Sequence, residues 1–227
     1  MKQSTDCAVS FPSNLLSSKK KKSPDVVNEL CKGSVFVCPH HFFTPEECKA
    51  WIDFAEQVGF ERLSQPQSRY FSQRECGRIQ RTDWDLSARL FERMRNIILD
   101  CDRRVPGGFS SDRKPVGCNG NIRIYKYERG MSFGKHIDEM NEIPEFPNGR
   151  TEMTVLIYLS SCVGGATRFF QSSKKRNDEG VGFTPQAGSV LLHVHGDRCL
   201  EHSADPVVQG VKYVLRTDVV YGTTKLI

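Results

Sequence analysis

The chain lacks several features that mark common classes of protein. It has no apolar run of the roughly 18 residues that a membrane-spanning helix needs, so no membrane partner is expected. Its first residues do not follow the order of charge, apolar stretch and small cleavage-site residues that a signal peptide shows, because the basic run comes after "FPSNLLSS". No internal repeat is present in the 227 residues.

Cys-x-x-Cys pairs are also missing, although the chain has nine cysteines. Without such a pair, neither a zinc knuckle nor a thioredoxin-like redox motif is supported. An odd number of scattered thiols fits a reducing compartment, where cysteine packs as a small apolar side chain. We therefore expect a cytoplasmic or nuclear protein.

The net charge of +5 includes two basic clusters, at residues 19–22 and 174–176. Such clusters can bind nucleic acid or act as a nuclear address. Basic and aromatic residues are not interleaved in the way that favours the stacking of single-stranded bases. A solvated tail and a solvated loop are therefore expected, and nucleic acid stays open as an alternative partner.

Composition and patterning divide the chain into three parts. Residues 1–30 are rich in Ser, Lys and Asn without a sustained period, which predicts a disordered basic extension. Residues 31–227 are expected to form one domain. Its helical support is predicted over about 31–105 and its barrel core over about 119–224.

Two amphipathic helices are predicted in the helical part. In "FTPEECKAWIDFAEQVGF", Thr44 is a natural N-cap and Pro45 suits the first helical position. Glu47 completes a capping box, and Gly59 ends the helix. The predicted buried stripe comprises Cys48, Trp51, Ile52, Ala55 and Val58. In the second helix, "DWDLSARLFERMRNIIL", the predicted buried side comprises Leu86, Leu90, Phe91, Met94, Ile97 and Ile98.

The remainder of the chain is typical of short strands separated by Gly, Pro and Asn turns. An early strand is predicted in "GSVFVCP", and the later candidates are "NIRIYKYE", "TEMTVLIYLS", "GATRFF", "GSVLLHV" and "KYVLRTDVVY". Strands this short and numerous predict an antiparallel barrel or sandwich. The fold class is therefore mainly β, with flanking α-helices packed outside.

One His-x-Asp pair indicates a metal site. His136 and Asp138 are two residues apart, so on a strand they project from the same face and can meet one ion. His202 comes just before the last strand, and a barrel can bring such strand ends together. Two histidines and one carboxylate form the facial triad of non-haem Fe(II) oxygenases.

The other histidines allow a competing scheme. His193 and His195 approximate the His-x-His of a cupin, although their spacings to the neighbouring glycine and glutamate fit that motif poorly. Outside that scheme they are expected to line the pocket or to be satisfied core histidines. His40 and His41 are expected to pack or to face solvent beside the first strand.

The last strand carries two cations on one face. The period of two places Lys212, Val214, Arg216 and Asp218 together. Near a metal histidine, such a pair indicates an anion site for a dicarboxylate co-substrate. Arg216 offers the better bidentate fork and Lys212 the simpler point charge, and both stay candidates for the principal clamp.

Several motifs in this order resemble one family. They are "FFTPEECKAWIDFAE", "YKYERGMSFGKHIDE", "VLIYLSSCVGGATRFF", "FTPQAGSVLLH" and "HSADPVVQGVKYVL". Each motif is weak alone, but the ordered set is specific. The chain resembles the 2-oxoglutarate- and Fe(II)-dependent dioxygenases, in their prolyl-4-hydroxylase-like branch, over roughly residues 34–221.

The resemblance implies a double-stranded β-helix, or jelly-roll, with a defined site. His136, Asp138 and His202 match the iron ligands of the family, Lys212 its cation for the distal carboxylate of 2-oxoglutarate, and Tyr127 its pocket tyrosine. The implied cofactors are Fe(2+), 2-oxoglutarate and O2, with ascorbate as reductant. The implied reaction couples oxidative decarboxylation of 2-oxoglutarate to hydroxylation of a C–H bond.

The identity of the substrate stays open at this point, because a family does not specify a substrate. A prolyl residue of a protein, a small molecule and a nucleic acid are the candidates, and a catalytically silent barrel that serves as a binding module is the non-enzymatic alternative. The loop at residues 139–150 is expected to build the outer wall of the pocket. Trp84, Arg74, Arg78 and Arg81 are expected to lie at its entrance or on the surface.

Overall fold

The structure is a computed structural model that describes residues 11–16, 26–39, 42–69, 71–109, 112–171 and 178–223. Within these ranges the chain forms two α-helices and fifteen β-strands, which confirms the predicted mainly β class. The helices are α1 (Pro45–Val58) and α2 (Trp84–Arg104). The strands are β1 (Asn28–Cys31), β2 (Val35–Cys38), β3 (Glu61–Gln65), β4 (Arg74–Thr82), β5 (Lys114–Cys118), β6 (Asn121–Tyr127), β7 (Phe133–His136), β8 (Arg150–Tyr158), β9 (Val163–Gly164), β10 (Thr167–Phe170), β11 (Val181–Phe183), β12 (Val190–Val194), β13 (Glu201–Ala204), β14 (Val207–Gln209) and β15 (Lys212–Gly222).

Most of the described strands join one antiparallel sheet. Its path runs β1-β2-β12-β8-β15-β6-β4-β7-β13-β10-β11, with β3 paired to β4 and β5 paired to β15. The two ends of the path, β1 and β11, contact each other, so the sheet curls into a nearly closed barrel. Strand β15 is central, because it pairs with both β6 and β8. The short strands β9 and β14 form a separate ribbon.

Alternation along the strands produces two apolar clusters on opposite faces of the sheet. The outer core lies between the sheet and the helices and includes Trp51, Leu90, Ile124 and Leu215. The inner core lies inside the barrel and includes aromatic residues such as Tyr125, Tyr127, Tyr158 and Phe169. Residues two apart on a strand share a face, so one strand supplies both cores.

Helix α1 begins and ends as its sequence predicts. The Thr44 hydroxyl accepts a hydrogen bond from the backbone N–H of Glu47 at 3.2 Å, and the Glu47 carboxylate accepts one from the backbone N–H of Thr44 at 2.9 Å. Gly59 ends the helix with a φ of 81°, a left-handed value that suits glycine. Of the predicted stripe, Cys48, Trp51 and Ala55 are buried and Ile52 is half-buried. Val58 is exposed, so its predicted burial is wrong.

Helix α2 is longer than the segment that predicts it, because it continues to Arg104. Asp83 is its N-cap and accepts from the backbone N–H of Leu86 at 2.8 Å. All six predicted core residues are buried against the sheet. The two helices are tied by an ion pair in which the Arg93 guanidinium contacts the Glu47 carboxylate at 2.6 Å.

The N-terminal stretch departs from the predicted disordered extension where it is described. Phe11, Leu15 and Leu16 are buried in the outer core, and the ring of Phe11 lies 5.4 Å from that of Trp51. The backbone N–H of Phe11 donates to the Asp83 carboxylate at 3.2 Å. Two or three apolar residues carry no periodic signal, so a pattern search misses a docked segment of this kind. The basic clusters at 19–22 and 174–176, and His40 and His41, lie outside the described residues.

Strands β3, β4 and β5 are among several described strands that are absent from the predicted set. Strand β4 contains "RECGRIQR", for which the sequence left two alternatives, the pocket entrance and surface charge ahead of a helix. It is instead an interior strand of the sheet, paired with β3, β6 and β7. Its charged residues, Arg74, Glu75, Arg78 and Arg81, hide it, because they break the apolar alternation that predicts a strand. In the part of the chain that the structure describes, neither helix has the length and apolar character needed to cross a membrane.

Candidate metal and co-substrate site

The pairing of β7 with β13 brings two predicted ligands face to face. His136 and His202 are directly opposite each other in this antiparallel pair. Asp138 follows β7 by two residues, and its carboxylate lies 3.9 Å from His136 Nε2 and 3.7 Å from His202 Nε2. One ligand atom from each of the three residues falls within 4.8 Å of the others. The structure therefore brings together the three residues that the sequence nominated.

Hydrogen bonds orient both imidazoles. His136 Nδ1 lies 2.9 Å from the carbonyl oxygen of Gly134, and His202 Nδ1 lies 3.0 Å from that of Leu200. A carbonyl only accepts, so each Nδ1 carries the proton and each Nε2 keeps a free lone pair. Burial is the main reason that the pKa of His136 falls to about 3, and it is also the main reason that the pKa of His202 is lowered. Both rings are therefore neutral, which is the form that binds a metal.

Asp138 is held by side chains from neighbouring strands. Its carboxylate, only 7% exposed, accepts from the Thr154 hydroxyl at 2.7 Å and contacts the Arg216 guanidinium at 3.1 Å. Burial acts to raise its pKa, but Arg216 and the surrounding histidines outweigh that effect, so the pKa lies well below its ordinary value. Asp138 is therefore a carboxylate and not a carboxylic acid.

The backbone of Asp138 is fixed by the turn after β12. Its carbonyl accepts from the backbone N–H of Gly196 at 3.1 Å, and its N–H donates to Cys199 Sγ at 3.4 Å. Gly196 has a φ of 66°, in the left-handed region that glycine adopts without strain. This turn therefore joins the site from a part of the sequence far from the His-x-Asp pair.

Arg216 is shared between two buried carboxylates. One of its terminal nitrogens lies 3.1 Å from Asp138 and 3.3 Å from Asp218. Thr154 also contacts this network, since its hydroxyl lies 2.7 Å from His195 Nε2. Burial acts to lower the pKa of Arg216, but the two carboxylates raise it overall. Arg216 is thus a permanently charged group whose nearest partners are acids of this chain.

Lys212 has a different environment. Its side chain is 2% exposed, and its ammonium donates to the Gly165 carbonyl at 2.7 Å and approaches the Thr167 hydroxyl at 3.4 Å. The Tyr127 ring centroid lies 5.4 Å from Nζ. Among the described residues, no carboxylate lies within ion-pair distance of this ammonium. Burial lowers the pKa of Lys212 to about 8.

One pocket joins these groups. The predicted ligands, Tyr127, Lys212 and Arg216 all line it. Its remaining lining residues are Arg74, Tyr125, Phe133, Thr154, Leu156, Thr167, His193, Ser203, Ala204 and Val214. Burial raises the pKa of Tyr127, so its phenol is neutral and can donate a hydrogen bond into the pocket.

The two histidines of the His-x-His pair, His193 and His195, have different environments. His195 is bonded to Thr154 and lies 3.2 Å from the Thr151 hydroxyl, as a satisfied core histidine does. His193 lines the pocket, and its Nε2 lies 3.4 Å from the Asp138 carboxylate without a hydrogen-bond partner. A second cluster with metal-ligand character comprises His193, Cys199 and His202. His202 belongs to both clusters, so the two arrangements compete for one side chain.

The residues expected at the pocket entrance or on the surface have different locations. Arg74 lines the pocket, but Arg78 and Arg81 do not, and neither does any residue of the loop at 139–150. Trp84 packs at the start of α2, where its ring lies 6.1 Å from that of Phe146. Sequence reasoning missed Tyr125, although it alternates with Tyr127 in "NIRIYKY", and missed Thr154, which has no local signal at all.

The match to a known family covers the site. The 2OG-Fe(II) oxygenase superfamily matches residues 122–217, a segment that includes His136, Asp138, His202, Lys212 and Arg216. This segment therefore belongs to that superfamily, and the resemblance seen in the sequence is confirmed. The matched superfamily is that of the 2OG-Fe(II) oxygenases, the class that the ordered sequence motifs resemble. No curated protein shows significant sequence similarity to the chain.

Solved structures show the same fold at low sequence identity. The chain is similar to a viral collagen prolyl hydroxylase from Paramecium bursaria Chlorella virus-1 in complex with 2-oxoglutarate, with 15% identity, a TM-score of 0.55 and coverage of 84% of this chain and 97% of that one. A Trichoplax adhaerens prolyl hydroxylase bound to a hypoxia-inducible-factor peptide fragment has 14% identity, a TM-score of 0.53 and coverage of 82% and 83%. A Pseudomonas putida prolyl-4-hydroxylase has 12% identity, a TM-score of 0.51 and coverage of 82% and 91%. The predicted double-stranded β-helix is confirmed.

Proposed function

We propose that the chain is an Fe(II)- and 2-oxoglutarate-dependent hydroxylase of the prolyl 4-hydroxylase type, with His136, Asp138 and His202 as its iron ligands. The observation that carries this proposal is the convergence of two neutral imidazoles and one ionised carboxylate in a single pocket. Their donor set fits Fe(II), which such a facial triad binds with positions left open. When bound, Fe(II) would supply the oxidative chemistry that couples 2-oxoglutarate decarboxylation to C–H hydroxylation.

We assign the clamp for the distal carboxylate of 2-oxoglutarate to Lys212 in preference to Arg216. Arg216 already contacts Asp138 and Asp218, so a further anion would have to displace an internal partner. Lys212 contacts neutral oxygens and aromatic rings, so its buried charge has no compensating anion among the described residues. A ligand carboxylate would supply that anion and would keep the ammonium protonated at neutral pH.

The remaining residues would position and shield the co-substrate. The neutral Tyr127 phenol lines the pocket beside Lys212 and would donate to a carboxylate oxygen. Thr154 and Arg216 both hold the Asp138 carboxylate, which would keep its orientation constant while ligands exchange. Apolar lining residues such as Leu156 and Val214 would exclude water from the reacting atoms.

The first experiment tests iron, co-substrate and turnover together. Purified protein should bind Fe(II) and 2-oxoglutarate and release succinate, slowly without substrate and faster with one. Asp138→Ala should release none. If the wild-type protein binds neither ligand, the catalytically silent binding module becomes the better description.

The choice between the two cations has its own test. Lys212→Met should weaken 2-oxoglutarate binding by about a hundredfold, as expected for the loss of a buried charged hydrogen bond of about 2–3 kcal/mol. Arg216→Met should weaken Fe(II) binding by about tenfold, because it removes a group that orients the Asp138 carboxylate. Titration of each variant with 2-oxoglutarate and with Fe(II) separates the roles, and the reverse pattern would assign the clamp to Arg216.

We further propose a prolyl residue of a protein as the substrate. Three of the solved structures that the chain resembles are prolyl hydroxylases, and one of these three holds a peptide fragment. A small molecule is the second candidate, and nucleic acid is a weaker third. Ascorbate is proposed as the reductant that restores Fe(II). A screen of peptide and metabolite libraries for 2-oxoglutarate consumption, with Asp138→Ala as the inactive control, decides among the substrates.

The predicted domain boundaries and location also stand as proposals. We propose that residues 31–227 form the dioxygenase domain, with residues 11–16 and the start of β1 packed on it. The similar viral structure supports this because it covers 84% of the chain. A cytoplasmic or nuclear location is proposed from the cysteines. Every cysteine of the described residues is a free thiol, as a reducing compartment favours. Imaging of a tagged full-length chain tests the location.

A further inference from the structure

We propose that Arg74 is a substrate-binding cation and that the substrate carries a carboxylate. The inference rests on the proposed function, because it assigns a substrate class to the same pocket. Arg74 starts strand β4 and lines the pocket together with the candidate iron ligands. No motif or metal scheme in the sequence assigns it a role.

Two aromatic rings hold the guanidinium in place. Its Cζ atom lies 4.5 Å from the Tyr125 ring centroid and 4.4 Å from that of Phe133. Phe133 is the strand partner of Arg74 in the pairing of β4 with β7. Rings on which a guanidinium stacks restrict its rotation. The Tyr125 and Tyr127 phenols also lie close enough to interact with the Arg74 guanidinium.

The charge of Arg74 lacks an internal anion. Among the described residues, no carboxylate lies within ion-pair distance of it, and its buried Nε makes no hydrogen bond. Other arginines of the barrel have an acid partner, as Arg78 has Glu61 at 3.1 Å and Arg168 has Asp205 at 2.7 Å, although Arg78 Nε, like Arg74 Nε, makes no hydrogen bond. A cation that faces a pocket without an acid of its own chain is a binding group for an anion.

Arg74 and Lys212 lie on different sides of the pocket. Strand β6 separates β4 from β15, so the Tyr125 and Tyr127 side chains stand between the two cations. Arg74 lies on the side of the candidate iron ligands, since the Phe133 ring that it contacts stacks on the His136 ring at 3.7 Å. One cation is therefore placed for the co-substrate and the other for a second molecule beside the metal position.

The chemistry of the subsite specifies a planar anion next to an aromatic wall. A guanidinium binds a carboxylate through two parallel N–H bonds, while the Tyr125 and Phe133 rings that hold it form an aromatic border beside the anion. The carboxylate can come from an acidic side chain adjacent to the target or from the carboxyl terminus of a short substrate. These two sources share the same recognition chemistry.

Two matched pairs of probes distinguish the sources. The first pair is N-acetyl-Gly-Asp-Pro-Gly-amide and its Asn counterpart, and the second is N-acetyl-Gly-Pro and its C-terminal amide. Calorimetric affinities are measured for the full chain loaded with Mn(II) and 2-oxoglutarate, and again without them. The wild-type protein should bind one of the acids about tenfold more tightly than its amide, as a charge-assisted hydrogen bond predicts.

Substitution of Arg74 tests the assignment. Arg74→Gln should abolish the preference, so that the acid and its amide bind with about equal affinity. Arg74→Lys keeps the charge but loses the bidentate guanidinium, so it should retain part of the preference. Arg78→Gln is the matched control, because Arg78 lies on the same strand and face and is paired with Glu61. It should leave the preference unchanged. Melting curves establish that each variant is folded.

Several outcomes would overturn the proposal. Arg74 is not a substrate cation if neither acid is preferred, if the preference survives Arg74→Gln, or if the substitution weakens 2-oxoglutarate binding alone. Failure of the proposed function is a separate result, because it appears as absence of succinate formation by the wild-type protein. The affinities without metal and co-substrate still decide the role of Arg74 in that case.

Discussion

The outer core and the barrel interior are built from the same strands and have opposite chemistry. On β15, Leu215 and Val219 face the helices, whereas Lys212, Arg216 and Asp218 face the interior. The helix-facing side is apolar and closely packed. The interior combines aromatic rings with charged groups that are almost wholly buried. The difference separates two tasks: the outer core stabilises the fold, and the interior arranges charges for ligands.

Buried charges oppose folding unless they are paired. In the barrel interior, Arg216 forms ion pairs with both Asp138 and Asp218. Two cations depart from this arrangement, Lys212 and Arg74, and the neutral His193 ring leaves its Nε2 atom without a hydrogen-bond partner. Substitutions in the outer core should therefore change stability, and substitutions of interior charges should mainly change ligand binding.

The largest effect is expected from Asp138→Ala. Loss of the carboxylate from a three-residue metal site should weaken Fe(II) binding by about a thousandfold and abolish succinate formation. Metal titration of the folded protein measures it. Asp205→Asn is the matched control, since Asp205 pairs with Arg168 outside the pocket lining and its loss should leave metal binding unchanged. Equal metal affinity in Asp138→Ala and wild-type protein would exclude the ligand assignment.

In the outer core, Leu90→Ala should lower stability and leave Fe(II) affinity unchanged. Leu90 is fully buried on α2, so its truncation should lower the free energy of unfolding by about 3 kcal/mol, through lost burial and the cavity left behind. Denaturant unfolding measures the loss. At a temperature where the variant is folded, its Fe(II) affinity should equal that of the wild type. A parallel loss of metal affinity would show that the two regions are not independent.

Burial of Lys212 should make the free energy of unfolding depend on pH. The folded-state pKa is about 8 and the ordinary value is 10.5, so between these values the unfolded chain binds the extra proton. Stability should therefore rise with pH across this window, by up to about 3 kcal/mol from this one group. Below pH 8 both states are protonated, and the buried charge is destabilising.

Comparison with Lys212→Met isolates this contribution, because other groups also titrate in the same window. The difference in unfolding free energy between wild type and variant, measured without ligands, should shift in favour of the wild type as the pH rises from 8 to 10.5. Parallel stability profiles for the two proteins would contradict the burial of a charged amine at this position.

The smallest effect on metal binding is expected from His193→Leu. Under the proposed ligand set, His193 is a neighbour of Asp138 and not a ligand, so the variant should keep Fe(II) affinity within about tenfold of the wild type. His136→Ala is the comparison and should lose Fe(II) binding. If His193→Leu loses the metal and His136→Ala keeps it, the ligands include the cluster of His193, Cys199 and His202.

Much of the helical part could be predicted because its signals are local. The cap of α1 involves residues three apart in the chain, and the buried side of α2 repeats with the helical period. The site was nominated by spacing and by resemblance, since His136 and Asp138 are two residues apart and His202 precedes a recognisable strand. The structure brings these three together as expected.

The features that escaped prediction all depend on contacts between distant segments. Phe11 docks on Trp51, forty residues along the chain, and β4 is a strand because its neighbours supply hydrogen bonds on both sides. The role proposed for Arg74 follows only from its contacts with Tyr125 and Phe133 in the folded chain. No local period or motif encodes such encounters.

The sequence by itself determined the two helices, because capping and helical periodicity act over short distances. Strand patterning and the ordered motifs of the family resemblance determined the fold class and the three candidate iron ligands. The tertiary structure alone decided what each interior charge meets. It paired Arg216 with Asp138 and Asp218, left Lys212 facing neutral oxygens, and set Arg74 between two aromatic rings. The physical reason is that the strength and the partner of a buried charge depend on which strands the closed barrel places side by side.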